Sequence, residues 1–461
     1  MFKKIEIWVL YFVLLMGFPI TIGFGVLVRQ EIEGKTKHGA IDISFLTKPA
    51  AYIARLPERF ITSFPTINQL RVNQPWHENR VFYKQNGFDG TPNLYDSYLL
   101  LSRYDGNKKE GIVELIDLKN FKVLHTWNPD IDKFNKLINK IDEFKDVDIN
   151  NNNSRETLTH PLLSKDGFLF FNTPPLRKID QCSNLVFQNT HDIFHHSIEE
   201  DLEGNIWVPS SMYPQSLPVE KFGRTNQSEG GYFDDAIVKL SKDGKVLYEK
   251  SVSQILIDND LGYLLFHGGN GSFELDPIHL NDIQPVNSNG DYWQKGDLFL
   301  SLRHKSMVLL YRPSTNKIIW KGTGPFYHQH DVDILDKERI SIFNNNDKQF
   351  FNSSKVDGNN EVIIYNFRTN SYSSYLSDSL IENDVRTPTG GRSQIVSNGD
   401  LLVEETDFGR TLYFNADGTL RWSHVNRADN GGVYNIGWSR ILYLKDDIIN
   451  VNNFLNINRK C

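Results

Sequence analysis

From Tyr98 onward this chain repeats one plan, two β-hairpins in succession, and no other feature limits its fold so strongly. The first hairpin of a unit closes on a turn dipeptide: Asp166-Gly167 before Phe168-Leu169-Phe170-Phe171, Gly204-Asn205 before Ile206-Trp207-Val208, Asn398-Gly399 before Leu401-Leu402-Val403. Such pairs supply the positive φ that short hairpin connections demand. The second hairpin has an apolar strand, a turn and a strand often ending in an aromatic, as in Ala236–Leu240 with Val246–Tyr248, Met307–Tyr311 with Ile318–Trp320, and Thr411–Phe414 with Leu420–Trp422. Two hairpins make four strands, the content of one propeller blade. Units begin near Tyr98, His160, His196, His279, His330 and Arg392, which predicts six blades. Radial closure also protects strand edges that an open series of hairpins would expose.

The expected architecture is all-β: a six-bladed β-propeller over residues 96–461, a linker over 31–95 and an N-terminal transmembrane helix over 1–30. Ile5 to Val28 is almost wholly apolar, broken by Glu6, small residues and Pro19, and is long enough for a hydrocarbon core of about 30 Å. It ends Phe24-Gly25-Val26-Leu27-Val28-Arg29 without a small-x-small cleavage site, so an uncleaved single-pass anchor is expected. Lys3 and Lys4 on one side nearly balance Arg29, Lys35 and Lys37 on the other. An anchor followed by one globular domain acts most simply as a signal anchor, which places the domain outside the cytoplasm, in the periplasm of a bacterium. In residues 48–64, apolar spacings of three and four predict a short amphipathic helix interrupted by Pro57. Ile131 to Phe144, followed by the polar run Asn150 to Asn153, reads as a helical insertion.

With 50 basic against 57 acidic residues the net charge is −7, without long runs of either sign, so a nucleic-acid partner is not expected. Cys182 and Cys461 are the two cysteines, too few for a disulfide framework or a thiolate metal site. They form one bridge in an oxidising compartment or stay as two free thiols; spacing does not decide.

Histidine is scarce, 13 in 461 residues, yet His160, His196, His279 and His330 stand at comparable places in successive units. The innermost strand of each blade lines a propeller's channel, so the four rings are expected to converge, and convergent imidazoles imply chemistry rather than packing. In Asp276-Pro277-Ile278-His279-Leu280-Asn281 the period of two puts His279 and Asn281 on one face, and the returning strand delivers Arg303 to the same end. A guanidinium beside imidazoles suits a tetrahedral oxyanion. His328 rivals His330, and His195 and His191 rival His196. Three imidazoles with an open position would alternatively hold zinc or iron for ester or lactone hydrolysis, and a membrane-anchored binding scaffold would use the loops instead.

Several of these stretches, in order between about residues 160 and 445, resemble the arylsulfotransferase family, the aryl sulfotransferases that do not need an activated adenylyl sulfate: His-His-x-Ile at His196, Asp-Pro-x-His-x-Asn at His279, Leu-Ser-x-Arg ending at Arg303, Gln-His-Asp at His330, Gly-Gly-x-x-Gln from Gly390, and Phe-Gly-Arg ending at Arg410. The Gln-His-Asp form is similar to a broader branch rather than to the characterised bacterial enzymes. The resemblance implies a six-bladed propeller that moves a sulfuryl group from an aryl sulfate to a phenol through a sulfohistidine. Asn281, on the same face as His279, is the candidate substrate contact. On the resemblance, His330 would be the nucleophile, and His279, Arg303 and His196 would bind the sulfuryl oxygens and handle the phenol's proton. It implies no cofactor and no metal, and some relatives pair as homodimers.

Overall fold

Six antiparallel sheets of four or five strands follow one another along the chain in the computed structural model, which describes residues 7–32, 36–38, 41–54, 56, 80, 84–139, 144, 147–218, 232–266, 274–348, 356–456 and 461. Together they are a six-bladed β-propeller. Blade 4 is typical: Leu280–Pro285, Leu298–Leu302, Met307–Arg312 and Lys317–Gly322 pair in sequence order from the axis outward. Blade 5 repeats it with Glu361–Asn366 and Ser371–Tyr375 outside His330–Ile334 and Arg339–Asn344. The turn glycines behave as their dipeptides require, Gly204 at φ +80° and Gly399 at φ +89°.

Two blades are completed by distant segments. Blade 1 takes Tyr98–Asp105, Glu110–Asp117 and Lys122–Trp127 from the start of the propeller, but its innermost strand is Arg440–Leu442 from the far end, with Arg440 opposite Leu100. Tyr98 therefore opens a second strand and not an inner one, a correction to the expected blade start. Blade 6 (Arg392–Ile395, Leu401–Glu405, Arg410–Phe414, Leu420–Val425) gains a fifth, outermost strand, Gly87–Gly90, so the propeller begins before residue 96 and takes in the end of the expected linker. Arg80, earlier still, is buried and donates to Glu405 and Asp384.

Alternating apolar residues on each strand face the neighbouring blades, so the core is a set of wedges. Leu100, Leu115, Leu169 and Phe171 fill the wedge between blades 1 and 2; Phe299, Val308, Ile340 and Ile342 that between 4 and 5; Leu99, Leu402, Tyr413 and Ile441 that between 6 and 1. Helix Lys445–Asn456 sends Val451 and Phe454 into the first wedge against Trp127. Cys182 and Cys461 form a disulfide, which ties the end of the chain to blade 2.

The expected insertion helix is shorter than Ile131–Phe144. It spans Ile131–Asn135, capped by Asp130, whose side chain accepts from the Lys133 amide. Asn135 ends it by donating to the Asn151 carbonyl while accepting from Arg177, since a buried Asn amide competes with the helix for backbone partners.

Residues 1–65 with 219–232 form a separate compact unit. It contains helix α1 (Ile7–Ile32) and helix α2 (Ser44–Ala54), joined by a buried hydrogen bond from Thr47 to Glu31. Helix α2 begins earlier than the helix expected over 48–64, and the rest of that stretch from Pro57 onward lies outside the described residues. Helix α1 occupies the stretch expected to span a membrane and exposes Trp8, Tyr11, Phe12, Leu15 and Phe18. Among the described residues no helix is long and apolar enough to cross a membrane, so the transmembrane helix is not part of the observed fold.

Candidate functional site

The inner strands begin with a backbone feature that aims side chains at the axis. His160, His196, His279, His328 and Trp438 all have positive φ, between 49° and 66°, at or just before an inner strand. A left-handed non-glycine residue costs about 1–3 kcal/mol and persists where the surroundings fix it. In blades 4 and 5 the register also slips, between Leu280 and Asp282 and between His330 and Val332, and such bulges turn side chains out of the pleat. Carboxylates lock the ladder from blade to blade: Asp235 accepts from the Leu280 amide, Asp282 from Val332, and Asp331 from Ser393.

The result is one cavity of about 350 Å³ lined by His160, His196, His279, Arg303, His330 and Trp438, with Thr389, Gly390 and Thr406 from the blade 6 side. Ring centroids lie 6.1 Å apart for His160 and His196, 5.1 Å for His196 and His279, and 6.4 Å for His196 and His330. All four histidines singled out in the sequence thus share one space with Arg303.

Hydrogen bonds assign the ring nitrogens. Asn345 donates its amide hydrogens to the carbonyls of Thr387 and Gly390, which leaves its Oδ1 to accept from His330 Nδ1 at 2.7 Å. The His330 proton is therefore on Nδ1 and the lone pair on Nε2. Burial and then the charge of Arg303 push this imidazole down to about 3, so it is neutral near pH 7. His279 donates Nδ1 to Asp276 at 2.7 Å. Although burial opposes it, that bond leaves the Asp276 carboxyl below its usual range. His195 Nε2 lies 3.2 Å from an Asp235 carboxylate oxygen, and the Nδ1 atoms of His195 and His196 are 2.8 Å apart and share one hydrogen. His196 is held well below the normal range by burial and His195, so it is neutral near pH 7. Arg303 is 6% exposed, lowered by burial with Asp347 at 3.5 Å in partial compensation, and is the fixed positive charge of the cavity.

The other candidates lie off the cavity wall. Asn281 is buried at the bulge of blade 4 and donates to the Gln329 carbonyl at 2.8 Å, which steadies the residue before His330 instead of facing the cavity. His328 is tied to Asp347, its Nδ1 2.9 Å from that carbonyl. His195 backs His196, and His191 sits at the surface with Glu249. Trp438, Asn345 and Asp276 were not singled out as site residues. Trp438 stands two residues before an inner strand, as His160 and His328 do, but that strand belongs to a blade begun at the other end of the chain.

Three comparisons bear on this arrangement. The family model described as Arylsulfotransferase (ASST) matches residues 168–427, more than half of the chain and including His196, His279, Arg303 and His330. No curated protein matches. Among solved structures, similar ones are a protein of unknown function from Bacteroides caccae (11% identity, 74% of this chain and 98% of that one, TM-score 0.44), TolB from Acinetobacter baumannii (8%, 75% and 66%, TM-score 0.42) and virginiamycin B lyase from Staphylococcus aureus (12%, 71% and 88%, TM-score 0.33).

Proposed function

The chain belongs to the arylsulfotransferase (ASST) family, and on that premise we propose that it moves a sulfuryl group from an aryl sulfate to a phenolic acceptor by way of His330. The observation that carries this reading is the pinned tautomer: Asn345 holds the proton on Nδ1, and Nε2 of a neutral, buried imidazole is left with its lone pair. In the first half-reaction Nε2 attacks sulfur and the S–O bond to the aryl group breaks. The leaving phenolate takes a proton from the His279 imidazolium, which Asp276 stabilises from behind. Arg303 neutralises the oxygens of the loose, nearly planar sulfuryl group, and losing such a preorganised donor costs about 3 kcal/mol. In the second half a phenol enters with its hydroxyl against His196 or His279; His279 Nε2 takes the proton, the phenolate attacks sulfur and the N–S bond breaks. His330 returns to its neutral form and His279 to its imidazolium.

The deciding experiment traps the protein with 4-nitrophenyl sulfate and no acceptor, quenches, and locates the modified residue by mass spectrometry. A sulfuryl group on His330, absent from His330→Ala, is the expected result; a group on His328 or on none of the histidines overturns the role of His330. A second reading rests on Asp276, His279 and His304, whose ligand atoms all lie within 4.8 Å of one another. A divalent ion there would activate water for hydrolysis, and donor cleavage that disappears on chelation would favour it.

We also propose that the propeller lies outside the cytoplasm. The Cys182–Cys461 disulfide, of a kind that persists in oxidising compartments, supports that reading.

A further inference from the structure

Blade 3 carries a second group of ligands that the sulfuryl chemistry does not use. His191 and Asp192 precede its inner strand Ile193–Phe194, and Glu249 lies on its outermost strand Val246–Ser251. One atom from each, an imidazole nitrogen and two carboxylate oxygens, lies within 4.8 Å of the others. His191 Nε2 is 3.2 Å from Glu249 Oε2. Asp192 is only 3% exposed and is held by the Ser210 hydroxyl at 2.7 Å. Glu249 Oε1 is shielded from solvent and, apart from a proton that this carboxylate can share with Asp192, accepts no hydrogen bond among the described residues.

The Asp192 and Glu249 carboxyl groups are close enough to share a proton, a place that a dication can take instead, and the ion pair described for Glu249 is to His191 and not to a Lys or Arg. We propose that His191, Asp192 and Glu249 form a site for one divalent transition-metal ion, Zn²⁺ or Mn²⁺, that is distinct from the catalytic cavity. The donor set is one neutral nitrogen and two anionic oxygens, which matches a dication in charge and excludes a preference for the all-oxygen shells of calcium and magnesium. Ligands about 2.0–2.2 Å from a common ion stand at most about 4 Å apart, so small side-chain rotations close the set. His191 is half exposed, which gives the ion an entry path and lets water complete its shell. The bound ion would fasten the start of the inner strand, three residues before His196, to the outer edge of the same blade.

The test uses the full chain in detergent, stripped with EDTA and titrated with Zn²⁺ and, separately, Mn²⁺ by equilibrium dialysis, with thermal unfolding in parallel. One saturable equivalent per chain and a raised Tm are expected. His191→Gln and Asp192→Asn should each weaken it at least about tenfold, while His279→Ala leaves it in place. His191→Gln changes an exposed side chain, so it reads the site even if Asp192→Asn fails to fold. Absence of saturable binding of either ion, binding unchanged in His191→Gln, or binding lost only in His279→Ala would overturn the proposal. Each outcome is independent of whether the cavity transfers a sulfuryl group.

Discussion

A nucleophilic imidazole must be neutral and must offer the right nitrogen, and at His330, the nucleophile we propose, one neighbour arranges the second condition while burial arranges the first. Replacing Asn345 by Ala removes the acceptor for Nδ1 and lets the ring exchange tautomers or swing. Loss of a buried hydrogen bond of this kind costs about 1–3 kcal/mol, so steady-state kcat/KM with an aryl sulfate should fall about 5- to 150-fold with donor KM little changed. A wild-type rate in Asn345→Ala would remove the tautomer argument. The same burial has a thermodynamic side. His330 and His424 are pushed down to about 3, and His160 and His196 also lie well below the normal range, while an unfolded imidazole titrates near about 6.5. Between these values each of these four rings is protonated in the unfolded chain and neutral in the folded one, so the stability they contribute is full above the unfolded pKa and declines as pH falls toward 3, while Asp282 and Asp331, pushed up by burial to about 8 and about 6, contribute in the opposite sense. Denaturant midpoints measured from pH 7 downward should therefore change less on the acid side in His424→Phe than in the wild type, and identical profiles would show that this ring is solvated.

Strands and their closures decide whether those residues meet at all. The inner strand of blade 1 comes from Arg440–Leu442, and the helix and disulfide beyond it hold that strand in place. Bridging residues 279 apart removes chain entropy from the unfolded state worth up to about 5 kcal/mol. Cys461→Ser should lower Tm by several degrees yet leave the propeller folded, whereas truncation before Arg440 should leave no cooperative transition by calorimetry. A truncated chain that still unfolded cooperatively would show that the clasp is dispensable. This closure is also where the sequence was least legible. Hairpin turns and alternation reveal blades 2 to 5 because each is built from adjacent residues, and the four histidines are legible because they sit at one place in that repeat. Gly87–Gly90 and Arg440–Leu442 are short, and pair with strands hundreds of positions away, so nothing local marks them as blade members. Trp438 went unnoticed for the same reason. Asn281 misled for a different one: the bulge between Leu280 and Asp282 breaks the period of two that placed it beside His279.

At the scale of the molecule, the blades bring His160, His196, His279, Arg303 and His330 to one cavity, and the proposed reaction sets an order of events there. About 350 Å³ is near the lower limit of small-molecule sites. In the proposed reaction the sulfuryl group waits on His330 while one aromatic ring leaves and the next enters. Initial rates at several fixed acceptor concentrations should give parallel double-reciprocal lines, and phenol should appear in a burst of one equivalent when the acceptor is limiting. Trp438→Ala enlarges the space and removes the aromatic wall beside His160, so KM for both aromatics should rise while the burst persists, because the nucleophile is untouched. Intersecting lines in the wild type would mean that both rings fit at once, and a burst lost in Trp438→Ala would mean that the tryptophan holds His330 itself rather than the substrates.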